Sequence, residues 1–211
     1  MSDINVYDTL PTGAVPAESP LAWSYRCSGM PDAGAEAGVT LAEKAFLGHL
    51  ILRGGAIVLD EAVREELGVG LPARPNTLTR DAAGERSIQW LSPDEWLVIV
   101  PGGEEFTLEQ RLRARLGDAH FSISNVSGGQ TVVELAGDKA REVLMKSVIY
   151  DVHPRHFPVG KAVTTVFAKA TVILRRPTED RWELVIRRSF ADYCYRWLLD
   201  ASEEYGLTTV R

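Results

Sequence analysis

Cysteine is scarce in this chain: Cys27 and Cys194 are the two among 211 residues, and they stand far apart. Cys27 falls in a segment rich in Pro and Gly and Cys194 on the apolar side of a predicted helix, so a disulfide framework is not what holds the fold. Long apolar runs are missing too. The longest are of strand length, well short of the roughly 20 residues that a membrane-spanning helix needs. Nor is there a surplus of positive charge: 29 acidic against 23 basic residues leave a net charge of -6, which argues against a general polyanion-binding surface, nucleic acid included. The first residues are acidic and polar rather than basic and then apolar, unlike a secretory leader, and the chain reads as cytoplasmic. What remains is an ordinary globular composition, 45% hydrophobic and 25% charged, enough for a substantial core in one domain or in two small lobes sharing an interface.

Catalytic signatures are equally sparse. No Gly-x-Ser-x-Gly elbow occurs, and neither cysteine has an activating motif beside it. Gly68-Val69-Gly70-Leu71-Pro72-Ala73 fits the dinucleotide pattern G-x-G-x-x-A in letters, but it follows a predicted helix and carries Pro72 where the next helix would begin. The pairs Gly54-Gly55, Gly102-Gly103 and Gly128-Gly129 sit at strand ends as turns, with no Lys-Ser or Lys-Thr after them to hold a phosphate.

What is present is an echo. Leu91-Ser92-Pro93-Asp94-Glu95-Trp96-Leu97-Val98-Ile99-Val100 and Arg176-Pro177-Thr178-Glu179-Asp180-Arg181-Trp182-Glu183-Leu184-Val185-Ile186 are each an acidic, Pro-bearing turn followed by a Trp-led apolar strand. Each leads on to a helix start, at Thr107 or Ser189. The body therefore reads as an α+β fold of two pseudo-repeated strand-helix-hairpin-helix halves, residues 39–117 and 118–211, packed as one globular unit.

In the first half, Gly48 to Gly54 is a short strand. A helix capped by Asp60 follows and stops at Gly68, Ser87 to Leu91 and Glu95 to Val100 form a hairpin, and a helix capped by Thr107 and Gln110 runs to Gly117. In the second half, Phe121 to Val126 and Thr131 to Ala136 are strands joined by a tight Ser127-Gly128-Gly129-Gln130 turn. A helix with Ala140, Val143, Leu144 and Ser147 on one stripe comes next, then strands over 161–169, 171–175 and 181–187. The last helix, capped by Ser189 and Asp192, carries Phe190, Tyr193, Cys194, Trp197, Leu198, Ala201 and Tyr205 at 3,4 spacing, and Gly206 stops it. Residues 1–38, with Pro11, Pro16, Pro20 and Pro31 and no helical period, form an extended arm. Its Leu10, Leu21, Trp23 and Tyr25 suit docking either on another chain or on its own body.

Few residues are candidates for chemistry. His153 and His156, with Asp151 close by, have a spacing that could clip a metal, although a specific site needs three or four convergent ligands and the bland reading is a polar loop. His49 and His120 each stand alone, as surface or hydrogen-bonded side chains. Arg175-Arg176 and Arg187-Arg188 place guanidinium groups at strand ends that would adjoin one another, either to grip a carboxylate of folate or of a partner chain, or as solvated ends of edge strands. Trp96 and Trp182 are matching core anchors. No residue is assigned as catalytic, cofactor-binding or metal-binding.

Several segments, in this order and spacing, carry a resemblance: Gly48-His49-Leu50-Ile51-Leu52-Arg53-Gly54, Pro75-Asn76-Thr77, Ser92-Pro93-Asp94-Glu95-Trp96-Leu97, Asp151-Val152-His153-Pro154-Arg155-His156-Phe157-Pro158 and Arg188-Ser189-Phe190-Ala191-Asp192-Tyr193. Over roughly Val39 to Gly206 the chain resembles the gamma subunit of heterotetrameric sarcosine oxidase. The resemblance implies the fold of the folate-binding domain of the glycine-cleavage aminomethyltransferase, the T-protein. It also implies a complex that demethylates sarcosine oxidatively to glycine, forms hydrogen peroxide, and passes the one-carbon unit to tetrahydrofolate or releases formaldehyde. FAD and FMN would belong to the beta subunit, NAD and a folate-type domain to alpha, and zinc to delta, leaving this chain a noncatalytic part in assembly. Two other readings remain open: an independent folate-binding one-carbon protein, and a metal-dependent enzyme built on His153 and His156.

Overall fold

The computed structural model describes residues 17–210; Leu10, Pro11 and Pro16 of the arm lie outside them. The chain runs α1 (Ala22–Ser28), β1 (Val39–Lys44), β2 (Gly48–Gly54), α2 (Ala56–Leu67), β3 (Leu78–Arg80), β4 (Ser87–Ser92), β5 (Glu95–Val100), α3 (Glu105–Leu116), β6 (Phe121–Asn125), β7 (Gln130–Ala136), α4 (Ala140–Ser147), β8 (Ala162–Phe167), β9 (Ala170–Arg175), β10 (Arg181–Arg187), α5 (Ala191–Ser202) and β11 (Leu207–Val210). Two sheets result, a six-stranded one in the order β11-β1-β7-β10-β9-β8 and a five-stranded one in the order β3-β4-β5-β2-β6. β1 runs parallel to β11 and antiparallel to β7.

The sheets pack face to face with helices outside. Strict alternation along the central strands shows why. On β5, Trp96, Val98 and Val100 point into a core shared with α2 and α3, through Leu59, Val63, Leu108 and Leu112, whereas Leu97 and Ile99 point at the other sheet. On β10, Trp182, Leu184 and Ile186 face a core with α4 and α5, and Val185 faces inward between the sheets. β5, buried on both faces in this way, reads as a continuous apolar run with the period hidden inside it, whereas β10 carries Glu183 on its inward face. Trp96 and Trp182 are buried, one in each helix-facing core. Truncating a side chain such as Leu112 or Leu144 to Ala would cost about 2–5 kcal/mol.

Several local expectations are corrected. Phe121–Asn125 and Gln130–Ala136 do not form a hairpin: β6 pairs with β2 and β7 pairs with β1 and β10, so the strands belong to different sheets. The Ser127–Gly129 turn is a crossover between the sheets. Its fastening is side-chain chemistry: Asn125 Oδ1 accepts from the amide and hydroxyl of Ser127, and Ser127 Oγ in turn accepts from the His49 amide.

The helix starts also move. α2 begins at Ala56, α3 at Glu105 and α5 at Ala191 after a 3-10 turn over Arg188–Phe190, and none has a side-chain cap. Two of the residues expected as caps are used elsewhere. Asp60, inside α2, accepts from the Leu71 amide at 2.7 Å and from Arg64 Nε at 2.6 Å. Asp192 accepts from Ser24 Oγ at 2.9 Å, which ties α5 to α1. Gly68 ends α2 as the sequence suggests, in the left-handed conformation with its amide bonded to the Arg64 carbonyl.

The arm is not wholly irregular. Leu21 is buried in the six-stranded core, and Glu43 on β1 accepts from the Leu21 amide and the Ser19 hydroxyl, so a seven-residue helix is docked here by tertiary contacts. Tyr195 Oη completes the attachment by donating to the Gly29 carbonyl at 2.8 Å. On α5 the buried residues are Ala191, Cys194, Tyr195, Leu198, Ala201 and Ser202, while Phe190 and Tyr193 of the expected stripe are exposed.

Candidate functional site

Two places gather polar side chains. The first lies between the sheets. Arg175, on β9, donates from Nε to Glu183 on β10 at 2.8 Å and from Nη1 to Ser87 on β4 at 3.1 Å, linking the two sheets directly. Lys44 on β1 bridges Glu183 and Glu134 at 2.7 Å each, and Glu134 also meets Arg181 at 2.5 Å. The result is a chain of alternating charges, Arg175–Glu183–Lys44–Glu134–Arg181. Burial pushes the Glu183 carboxyl up, but attraction to Arg175 and then Lys44, with hydrogen bonds from both, wins and holds it down at about 2.

His49 belongs to the same layer. Its ring is buried, Nδ1 lies 3.0 Å from the Leu47 carbonyl, and burial pushes its pKa down to about 4 against that hydrogen bond. A neutral imidazole here donates from Nδ1, and its tautomer is set by that contact. Gln89, also fully buried on β4, has neither amide atom paired among the described residues.

Chemically, this layer is spent on itself. Every charge in the row from Arg175 to Arg181 has an opposite neighbour, whereas the buried Nε2 of His49 and the Gln89 amide have no partner among the described residues. The arginine expectations are corrected accordingly. β9 and β10 are interior strands rather than edges, and Arg175 is a buried ion-pair partner. Arg176 donates to the carbonyls of Phe157 and Glu179 and lies over the Trp182 ring at 5.1 Å. Arg187 and Arg188 stand at the opposite end of β10, so the two pairs do not adjoin. The sequence signal for this layer was faint: Arg181, Glu183 and Val185 alternate with Trp182 and Leu184, which marks an inward polar face only once both faces are known to be covered.

The second place is the loop after α4. Asp151 Oδ1 accepts from the His153 amide at 2.8 Å, and Asp151 Oδ2 lies 3.7 Å from His156 Nε2. The His153 ring nitrogen Nδ1 accepts from the Arg155 amide, and the two imidazole rings stand 6.3 Å apart. Together with Arg141, Met145 and Arg155 these residues line an open cleft of about 460 Å³. Among the described residues no group of three or more His, Cys, Asp or Glu side chains is arranged to hold a metal ion. His120 lies apart, in a cleft of about 610 Å³ with Arg53, Asp94 and Phe121.

Comparison with known proteins agrees with this architecture. The sequence model of the sarcosine oxidase gamma subunit family matches residues 54–204. The chain is 39% identical over 179 residues to the sarcosine oxidase subunit gamma of Corynebacterium sp. (strain P-1), across 82% of this chain and 85% of that one. It is 33% identical over 204 residues to the subunit gamma of Corynebacterium sp. (strain U-96), across 96% and 98%. Among solved structures, a chain of heterotetrameric sarcosine oxidase from Corynebacterium sp. U-96, in complex with pyrrole 2-carboxylate, superposes with a TM-score of 0.78 at 34% identity, covering 92% of this chain and 99% of that one. The glycine cleavage system aminomethyltransferase T from Bartonella henselae superposes with a TM-score of 0.66 at 12% identity, over 90% of this chain and 58% of that one, which is a likeness of fold. By sequence and by fold, then, this chain belongs to the sarcosine oxidase gamma subunit family.

Proposed function

We propose that this chain is the noncatalytic gamma subunit of a heterotetrameric sarcosine oxidase, assembling in the cytoplasm with alpha, beta and delta subunits. In this reading the complex demethylates sarcosine oxidatively to glycine, with hydrogen peroxide and either formaldehyde or 5,10-methylenetetrahydrofolate as products. FAD, FMN, NAD, tetrahydrofolate and zinc are held by the partner subunits. The observation that carries the reading is the end-to-end match to a gamma subunit, 96% of this chain on 98% of that one, joined to the 0.78 superposition on a chain of a heterotetramer. The self-paired charges between the sheets support a structural role. Among the described residues no helix is long and apolar enough to cross a membrane. Co-expression with the other three subunits tests the reading: a flavin-coloured complex retaining this chain in fixed stoichiometry is expected, and a chain that elutes alone from a complete mixture overturns it.

The same reading includes an internal repeat of residues 39–117 and 118–211 behind the arm at 1–38. Its support is element order. β1-β2-α2-β3-β4-β5-α3 is followed by β6-β7-α4-β8-β9-β10-α5, and the sheet orders β1-β7-β10-β9-β8 and β6-β2-β5-β4-β3 correspond position by position once the first strand of each half is exchanged.

A second reading, an independent folate-binding one-carbon protein, is favoured by the likeness to the aminomethyltransferase fold. Of the arginine pairs that could grip a folate carboxylate, Arg175 and Arg176 are taken by Glu183 and by the Phe157 carbonyl, whereas Arg187 and Arg188, the pair near the final helix, stand at the exposed end of β10 with Arg188 reaching the Glu18 carbonyl at 3.5 Å. Fluorescence titration of the purified chain with tetrahydrofolate decides: binding in the micromolar range, about 8 kcal/mol, would support it, and no quenching at saturation would remove it.

A further inference from the structure

The loop after α4 has a property that the internal ion pairs do not explain. Arg141 and Arg155 line its cleft, and neither guanidinium has a hydrogen-bond or ion-pair partner among the described residues. Asp151, the one carboxylate in the cleft, is turned to the His153 amide and toward His156 instead. In a protein of net charge -6 this is a local excess of unsatisfied positive charge. Met145, in the cleft lining, is 64% exposed, and Ile149 and Val159, which flank the loop in the chain, are 83% and 47% exposed. α4 explains part of this. Its inward stripe of Ala140, Val143, Leu144 and Ser147 is complete, so Arg141 and Met145, four residues apart, fall on the outward face.

The surface is also rigid in construction. The amides of His156 and Phe157 both donate to the His153 carbonyl at 2.8 Å, closing a tight turn. Phe157 is fully buried, packed edge-on to Tyr150 and against Trp182. The loop is thus clamped to the six-stranded core by its own anchor, and a partner would not have to order it on binding.

We infer that this face, Arg141, Met145, Ile149 and Arg155 at its centre, is a docking surface for an acidic segment of another subunit of the complex, one that brings carboxylates together with an apolar side chain. Carboxylates answer the planar donor forks of Arg141 and Arg155. The apolar side chain covers Met145 and Ile149, which stand 64% and 83% exposed. The inference rests on the assembly role proposed above.

The test is made in the complete co-expressed complex. Arg141→Glu combined with Arg155→Glu is expected to lower the share of this chain retained on the complex at least about tenfold, while Arg141→Lys with Arg155→Lys retains most of it and the melting temperature of the isolated chain stays at the wild-type value. Hydrogen exchange on the wild-type protein is an independent reading: amides of residues 149–156 are expected to be slowed in the complex relative to the free chain. A folded Glu double variant that assembles like wild type overturns the inference, as does unchanged exchange of 149–156, the result also expected if a small anion were the natural occupant. A wild-type chain that fails to assemble at all would instead overturn the assembly role itself.

Discussion

Arg175 and Glu183 stand opposite each other across the β9–β10 hairpin, Nε donating to Oε2 at 2.8 Å, both almost wholly buried between the sheets. Their pairing is what makes either charge tolerable there, because an ion taken out of water without a counter-charge is costly. Changing one partner alone, Arg175→Met or Glu183→Gln, should therefore cost about 3–5 kcal/mol in urea unfolding. The double variant Arg175→Met with Glu183→Leu should cost clearly less than the sum of the two; strict additivity would show that the pair is not coupled.

Acid should weaken the fold in two stages. His49 is held neutral by burial, with a pKa of about 4 against an ordinary value of 6.5, so the unfolded chain takes up its proton first as pH falls. Its contribution is complete above pH 6.5 and is lost on the way down to 4, by at most about 3 kcal/mol. Glu183, held at about 2 rather than 4.5, contributes above 4.5 and loses that contribution below it. Urea midpoints measured from pH 7 to pH 3 should fall across both windows in the wild type. His49→Leu should flatten the upper window and leave the lower one in place.

The two thiols should behave differently. Cys27 is exposed, whereas Cys194 is fully buried in the core and burial pushes its thiol up to about 12. An aromatic disulfide reagent at pH 8 should therefore titrate one thiol in the native protein and two in denaturant. Rapid reaction of both in the native state would mean that α5 opens readily.

Gln89 presents the opposite case to the ion pair. Its amide is fully buried and neither atom is paired among the described residues, so the fold carries a desolvation cost of about 1–3 kcal/mol. Gln89→Leu is predicted to raise the melting temperature. A fall would show that an internal water satisfies the amide.

How much of this was legible from sequence follows from the range of each interaction. The inward stripe of α4, the β4–β5 and β9–β10 hairpins and the anchoring roles of Trp96 and Trp182 depend on near neighbours, and period alone reveals them. The start of α2 is a different matter: Asp60 looks like a cap because its local chemistry suits one, yet its carboxylate is drawn to the Leu71 amide and Arg64. α1 has seven residues and no capping bond; it forms because Leu21 and Ser24 are buried, which no periodicity announces. Arg175 read as a solvated strand end since nothing nearby says that a second sheet covers it. The loop at 151–157 stands out in sequence for its histidines, while its unpaired neighbour Arg141 is reached only through space.

The exchanged strands also order events in time. Val39–Lys44 is made before either of its pairing partners, Val132–Ala136 on one side and Leu207–Val210 on the other. The six-stranded sheet is bounded in sequence by nearly the whole described chain, so a nascent polypeptide holds an apolar strand without neighbours until translation has passed residue 136, and an open edge until it has passed residue 210. Such long-range closure slows folding and prolongs exposure to aggregation, which places a premium on chaperone protection for a protein of this wiring.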